Sequence, residues 1–110
     1  MSRTISHNEL RNVLRNPRNV TILDLRRKAD FDADDVVIPG AKWLNPDEIN
    51  SWSDSLPKEH DIVVYCAHGK TVSNTAIDHL QGKGYRARFV EGGIGDWKAA
   101  GGAVVSKTKP

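Results

Sequence analysis

The sequence predicts an α/β domain built on a parallel sheet. Val20-Thr21-Ile22-Leu23-Asp24-Leu25 reads as a strand, and Asp61-Ile62-Val63-Val64-Tyr65-Cys66 as a second. The second is so nearly continuous in apolar residues that it fits a central parallel strand covered on both faces. Ala87-Arg88-Phe89-Val90 is a third, shorter run. Helical patterns separate these runs, and strands that alternate with helices make a parallel sheet.

The helices follow from local signals. Ser6-His7-Asn8-Glu9 is a capping box, with Leu10, Val13 and Leu14 at core spacing behind it. Pro46-Asp47-Glu48 opens another helix, with proline in the first turn and acids against the dipole. Thr71 to Gly82 carries Val72, Ala76 and Leu80 on one face and can end at Gly82 or Gly84. Gly92-Gly93 precedes a last short helix containing Trp97, and Val36 to Ala41 reads as a turn leading into the sheet edge.

Composition narrows the function. The 110 residues fit one domain, 1–110, with a short tail from about 106 to 110. Sixteen Lys and Arg against 14 Asp and Glu give a net charge of +2, with both signs interspersed rather than gathered into the basic stripe of a nucleic-acid binder. The longest apolar run, Ile62 to Ala67, falls far short of the ~18 residues of a membrane span. Met1 to Thr4 leads into no signal-like apolar region, so the expectation is a cytoplasmic protein without membrane or nucleic-acid partners. The single cysteine, Cys66, excludes an internal disulfide and any C-x-x-C motif.

Asp30, Asp32 and Asp34 resemble the start of a calcium loop, but Asp35 stands where that loop needs glycine and Ala41 where it needs glutamate. The reading there is a solvated acidic loop. His7, His60 and His79 lack ligand spacing, so no metal or other cofactor is expected. Trp43, Trp52 and Trp97 read as packing residues.

Chemistry concentrates after the second strand, in Cys66-Ala67-His68-Gly69-Lys70-Thr71. In open α/β sheets ligands bind beyond the carboxyl ends of the strands. A glycine-containing loop running into a helix can aim successive backbone N–H groups at one centre and cradle an anion. The helix N-terminus, Lys70 and a protonated His68 all add positive charge, and every one of these terms favours thiolate over thiol at Cys66. Core filler is the alternative for a strand-end cysteine; the strand–Cys–loop–helix order and Lys70 favour a nucleophile.

These residues resemble the rhodanese-like family of sulfurtransferases, and the resemblance runs through most of the chain. Asp24-Leu25-Arg26 matches the family's Asp-x-Arg, Phe31 and Ile38-Pro39-Gly40-Ala41 its "F…IPGA" segment, and Val64 to Gly69 its active-site loop. Val90-Glu91-Gly92-Gly93, Trp97 and Ala100-Gly101-Gly102 match its closing "GG…W…AG" pattern. The resemblance implies an open sheet of about five mostly parallel strands with helices on both faces. It also implies a thiosulfate sulfurtransferase-like enzyme that passes a sulfane sulfur from a small anionic donor to a thiol or cyanide through a Cys66 persulfide. Ala67, His68, Gly69, Lys70 and Thr71 would bind the donor, with Lys70 steering the dianion, and a protein could serve as sulfur acceptor. Many single-domain members end the loop in arginine where this chain has Thr71, an ending that two-domain sulfurtransferases share. Arg26 is either a second donor-binding residue or a salt bridge between neighbouring loops.

Two other functions compete with this one. A cysteine phosphatase needs arginine six positions after the nucleophile to clamp phosphoryl oxygens, and Val72 stands there. The remaining alternative is a non-catalytic or partner-dependent rhodanese-like module for binding or sulfur relay.

Overall fold

A computed structural model describes residues 3–68 and 71–107. The elements run β1 (Thr4–Ile5), α1 (His7–Arg15), β2 (Val20–Asp24), α2 (Lys28–Asp32), β3 (Val36–Val37), β4 (Lys42–Trp43), α3 (Ile49–Trp52), β5 (Asp61–Tyr65), α4 (Thr71–Gly82), β6 (Arg86–Val90), α5 (Gly93–Ala99) and β7 (Val105–Ser106). A 3-10 turn at Pro46–Glu48 leads into α3. Five strands form one sheet in the order β1-β6-β5-β2-β4, every neighbouring pair parallel. The expected parallel sheet is present, with β5 at its centre.

Strand alternation sorts the core into two layers. Leu23, Ile62, Val64, Ala87 and Phe89 face α4 and the segment around α3, where Ala76, Ile77, Leu80 and Tyr85 meet them. Ile22, Val63, Tyr65 and Val90 face the other way, onto Leu10 of α1 and Ile94 and Trp97 of α5. Helices therefore cover both faces. A 12-residue helix such as α4 is marginal alone in water. Burying Ile77 and Leu80 completely, at about 1.5–3 kcal/mol each, fixes it on the sheet. The buried stripe is Ser73, Ala76, Ile77 and Leu80, and Val72, expected on that stripe, sits half-buried at its margin.

The capping box forms as read: the Glu9 amide donates to Ser6 Oγ at 3.1 Å and the Ser6 amide to Glu9 Oε1 at 3.1 Å. Three regions differ from expectation. The acidic stretch begins as α2, which takes up Asp30 and Asp32. Val36–Val37, read as part of a turn, pairs antiparallel with Val105–Ser106 in a separate two-stranded sheet. The turn itself is confined to the following residues, where the Ala41 amide donates to the Ile38 carbonyl at 3.0 Å. Ser106 and Lys107, at the start of the expected tail, are bonded here, with the Lys107 amide donating to the Asp35 carbonyl at 2.9 Å. Trp97 is fully buried, and a Cβ on Gly102 would stand 2.1 Å from its ring, so glycine is required where the chain folds back over the indole.

Candidate active site

β2 and β5 end side by side, with Asp24 registered opposite Tyr65. Cys66 is the next residue, at the carboxyl end of the central strand, and is 6% exposed. Its Sγ accepts a hydrogen bond from Ser73 Oγ at 3.0 Å. Ser73 is fully buried in the first turn of α4, on the stripe that faces the sheet. The serine hydroxyl thus approaches the sulfur from the protein side.

The loop is held from the other side by α5. The Ile94 amide donates to the Cys66 carbonyl at 3.0 Å and the Gly95 amide to the Ala67 carbonyl at 3.1 Å. A trans peptide places N–H opposite C=O, so tying these carbonyls to α5 turns the amides of Ala67 and His68 away from it. This contact explains Gly92-Gly93. Gly93 has φ +67°, and a Cβ there would lie 2.4 Å from the Cys66 carbonyl oxygen and 2.7 Å from that of Ala67. Only a residue without a side chain lets the helix reach the loop.

Beneath Cys66 lies a buried polar network. Arg26 is 1% exposed; its Nε and Nη2 donate to Asp24, the shortest contact 2.7 Å, its Nη1 to Asp34 at 2.9 Å and its Nη2 to the Val36 carbonyl at 3.1 Å. Burial opposes the Arg26 charge, but the hydrogen bonds and charge of Asp24 outweigh it and raise the group above its ordinary value. This is the geometry of the salt-bridge alternative for Arg26. Tyr65 Oη donates to Asp24 Oδ2 at 3.0 Å and accepts from the Ile38 amide at 3.2 Å. Burial, then the Asp24 charge, pushes the phenol well above its usual range, so it remains a donor.

Above the sulfur opens a cleft lined by Arg27, Asp30, Cys66, Ala67, His68, Thr71 and Val72. Four of the predicted site residues, Cys66, Ala67, His68 and Thr71, meet there. Ala67 and His68 also border a second cleft with Arg26, Asp34 and Lys98. Gly69 and Lys70 lie outside the described residues. The arrangement offers one buried sulfur at the floor of a polar cleft, a hydroxyl donor behind it, and loop amides turned from α5.

Ser73 and Gly93 are the site residues that sequence reasoning missed in their specific roles. The one available signal for Gly93 was its place in the Gly92-Gly93 pair. For Ser73 there was a polar residue at a position whose helical neighbours at Ala76, Ile77 and Leu80 are all apolar.

Comparison with known proteins agrees with this architecture. The sequence model of the rhodanese-like domain matches residues 6–100. The thiosulfate sulfurtransferase GlpE of Coxiella burnetii is 28% identical over 100 residues, 90% of each chain. A tRNA sulfurtransferase of Desulfurococcus amylolyticus is 30% identical over 83 residues, 76% of this chain but 16% of that protein. Among solved structures, a rhodanese-like domain protein from Staphylococcus aureus superimposes with a TM-score of 0.77 at 29% identity, covering 98% of this chain and all of that one. A rhodanese-related protein from Thermoplasma volcanium gives a TM-score of 0.80 at 27% identity, over 94% and 97% of the two chains.

Proposed function

Since the chain belongs to the rhodanese-like domain family, we propose that it is a sulfurtransferase that carries a sulfane sulfur on Cys66. The observation that carries this reading is the position of Cys66, its sulfur at the end of the central strand and the floor of a cleft lined by the loop it begins.

The reaction is a two-step nucleophilic displacement. The Cys66 thiolate attacks the outer sulfur of thiosulfate, a new S–S bond forms, and the bond to the sulfonate sulfur breaks. Sulfite leaves with that electron pair and a persulfide anion remains on Cys66. A thiolate or cyanide then attacks the outer persulfide sulfur, takes it, and returns the electron pair to Cys66. One negative charge stays near the protein sulfur throughout. Ser73 stabilises it from behind, and the amides of Ala67 and His68, turned from α5, act on it as fixed dipoles do at an oxyanion. Lys70 adds a positive charge to the sequence of the loop. Arg26 serves as a positioning residue, tying the ends of β2 and β5 to the 34–36 segment.

Intact mass after incubation with thiosulfate tests the reading. Wild type is expected to gain one sulfur, which cyanide removes, and Cys66→Ser to gain none while keeping its fold. A wild type that gains no sulfur from thiosulfate or from organic persulfides, with a thiol slow to alkylate, would point instead to the binding module.

A further inference from the structure

We propose that Arg27 is a cation that draws anions to Cys66, and so contributes a preference for anionic over neutral sulfur donors; the donor half of this inference rests on the sulfurtransferase reading. Two adjacent arginines leave the end of β2 and go opposite ways. Arg26 is buried in its ion pairs, whereas Arg27 is exposed and its side chain makes no hydrogen bond or ion pair among the described residues. Strand alternation at an element's end accounts for the divergence.

The backbone that carries Arg27 is nonetheless fixed. Its carbonyl accepts from the Phe31 amide at 2.9 Å, and the Arg26 carbonyl accepts from Trp43 Nε1 at 2.9 Å. A held backbone with an unengaged guanidinium is what a ligand-gathering arginine needs. Its place also fits: Arg27 lines the cleft over Cys66 and the neighbouring cleft formed by Pro46, Ile49, Val72 and Ala76. Among the described residues of these two clefts Arg27 is the one permanent cation, facing the carboxylates of Asp30 and Asp47 and the imidazole of His68. An anion approaching the sulfur therefore meets the guanidinium fork, whose geometry suits two oxygens of one oxyanion.

The test uses a ratio that sulfur transfer does not enter. Cys66 is alkylated at fixed pH and low salt by iodoacetate, an anion, and by iodoacetamide, its neutral analogue. Both reagents consume the same thiolate, so their rate ratio reads the charge at the mouth. For Arg27→Gln the ratio is expected to fall about three-fold, and roughly 0.5 M salt to remove most of the difference, as for any exposed charge. Arg27→Lys should restore most of the ratio. In turnover with thiosulfate, Arg27→Gln should raise KM by a similar factor and leave kcat nearly unchanged. A ratio in Arg27→Gln equal to wild type would overturn the inference even if the protein forms persulfide. A lowered ratio in a protein that never takes up sulfur would retire the sulfurtransferase reading and leave Arg27 as the anion-gathering residue.

Discussion

At the scale of single residues the site turns on the atoms that touch the sulfur. Ser73 Oγ lies 3.0 Å from Cys66 Sγ, and both residues are buried, Cys66 at the floor of the cleft. A donor there holds the negative charge that the sulfur carries during transfer, and hydrogen bonds to charged groups contribute about 1.5–3 kcal/mol. Ser73→Ala removes the donor and little volume. Single-turnover persulfide formation, followed by mass, is expected to slow by about three- to ten-fold at neutral pH, half or less of that full bond energy being kinetically expressed. Circular dichroism should show an unchanged fold, and an unaltered rate would mean that the contact has no part in the chemistry. The serine could not be read from sequence as a partner of the cysteine. Seven positions separate them, and the contact depends on how α4 docks across β5, which no local pattern encodes. Cys66 itself was legible, because an apolar run ending at a glycine-containing loop marks a strand's carboxyl end.

At the scale of elements, the active loop is shaped by α5, an element almost thirty residues downstream. Gly93→Ala would place a methyl 2.4 Å from the Cys66 carbonyl oxygen at a residue with φ +67°. Strain of about 1–3 kcal/mol from the backbone conformation adds to the clash. The variant is expected to melt several degrees lower in thermal denaturation and to lose most of its sulfur uptake, because the amides of Ala67 and His68 no longer hold their direction. A variant that melts normally and takes up sulfur at the wild-type rate would show that α5 does not set the loop. β2, β5 and β6 were legible from apolar runs of four to six residues. β1, β3, β4 and β7 have two residues each, too few for any period to show. The pairing of β3 with β7 also joins segments nearly seventy residues apart. α2 escaped notice because Asp30, Asp32 and Asp34 suggested a loop, whereas Phe31 inside that stretch stacks on Trp43 at 5.2 Å and gives the short helix an apolar anchor.

At the scale of the whole molecule, Asp34 joins parts of the chain that the sheet alone does not connect. It accepts from Arg26 Nη1 at 2.9 Å, from Lys98 of α5 at 2.8 Å and from the Val36 amide at 3.2 Å. The end of β2, the β3 segment and the helix that holds the active loop thus meet at one carboxylate. Burial raises the proton affinity of Asp34, but the Lys98, Val36 and Arg26 contacts outweigh it and lower its pKa from 3.8 to about 2. A carboxyl whose pKa is lower folded than unfolded stabilises the fold above the unfolded value, and that contribution disappears as pH falls through the folded one. Asp34→Asn should therefore be less stable than wild type at pH 7, by about 1–2 kcal/mol after allowing for solvent screening. The difference should be constant from pH 7 down to about 5, narrow through pH 4 and 3, and approach zero near 2. Urea unfolding of both proteins across this range measures it directly. Parallel stability curves down to pH 3 would mean that the ion pairs of Asp34 do not bear on folding. A gap that narrows at acid pH, with sulfur uptake reduced in Asp34→Asn at pH 7, would show that the same carboxylate steadies both the fold and the loop around Cys66.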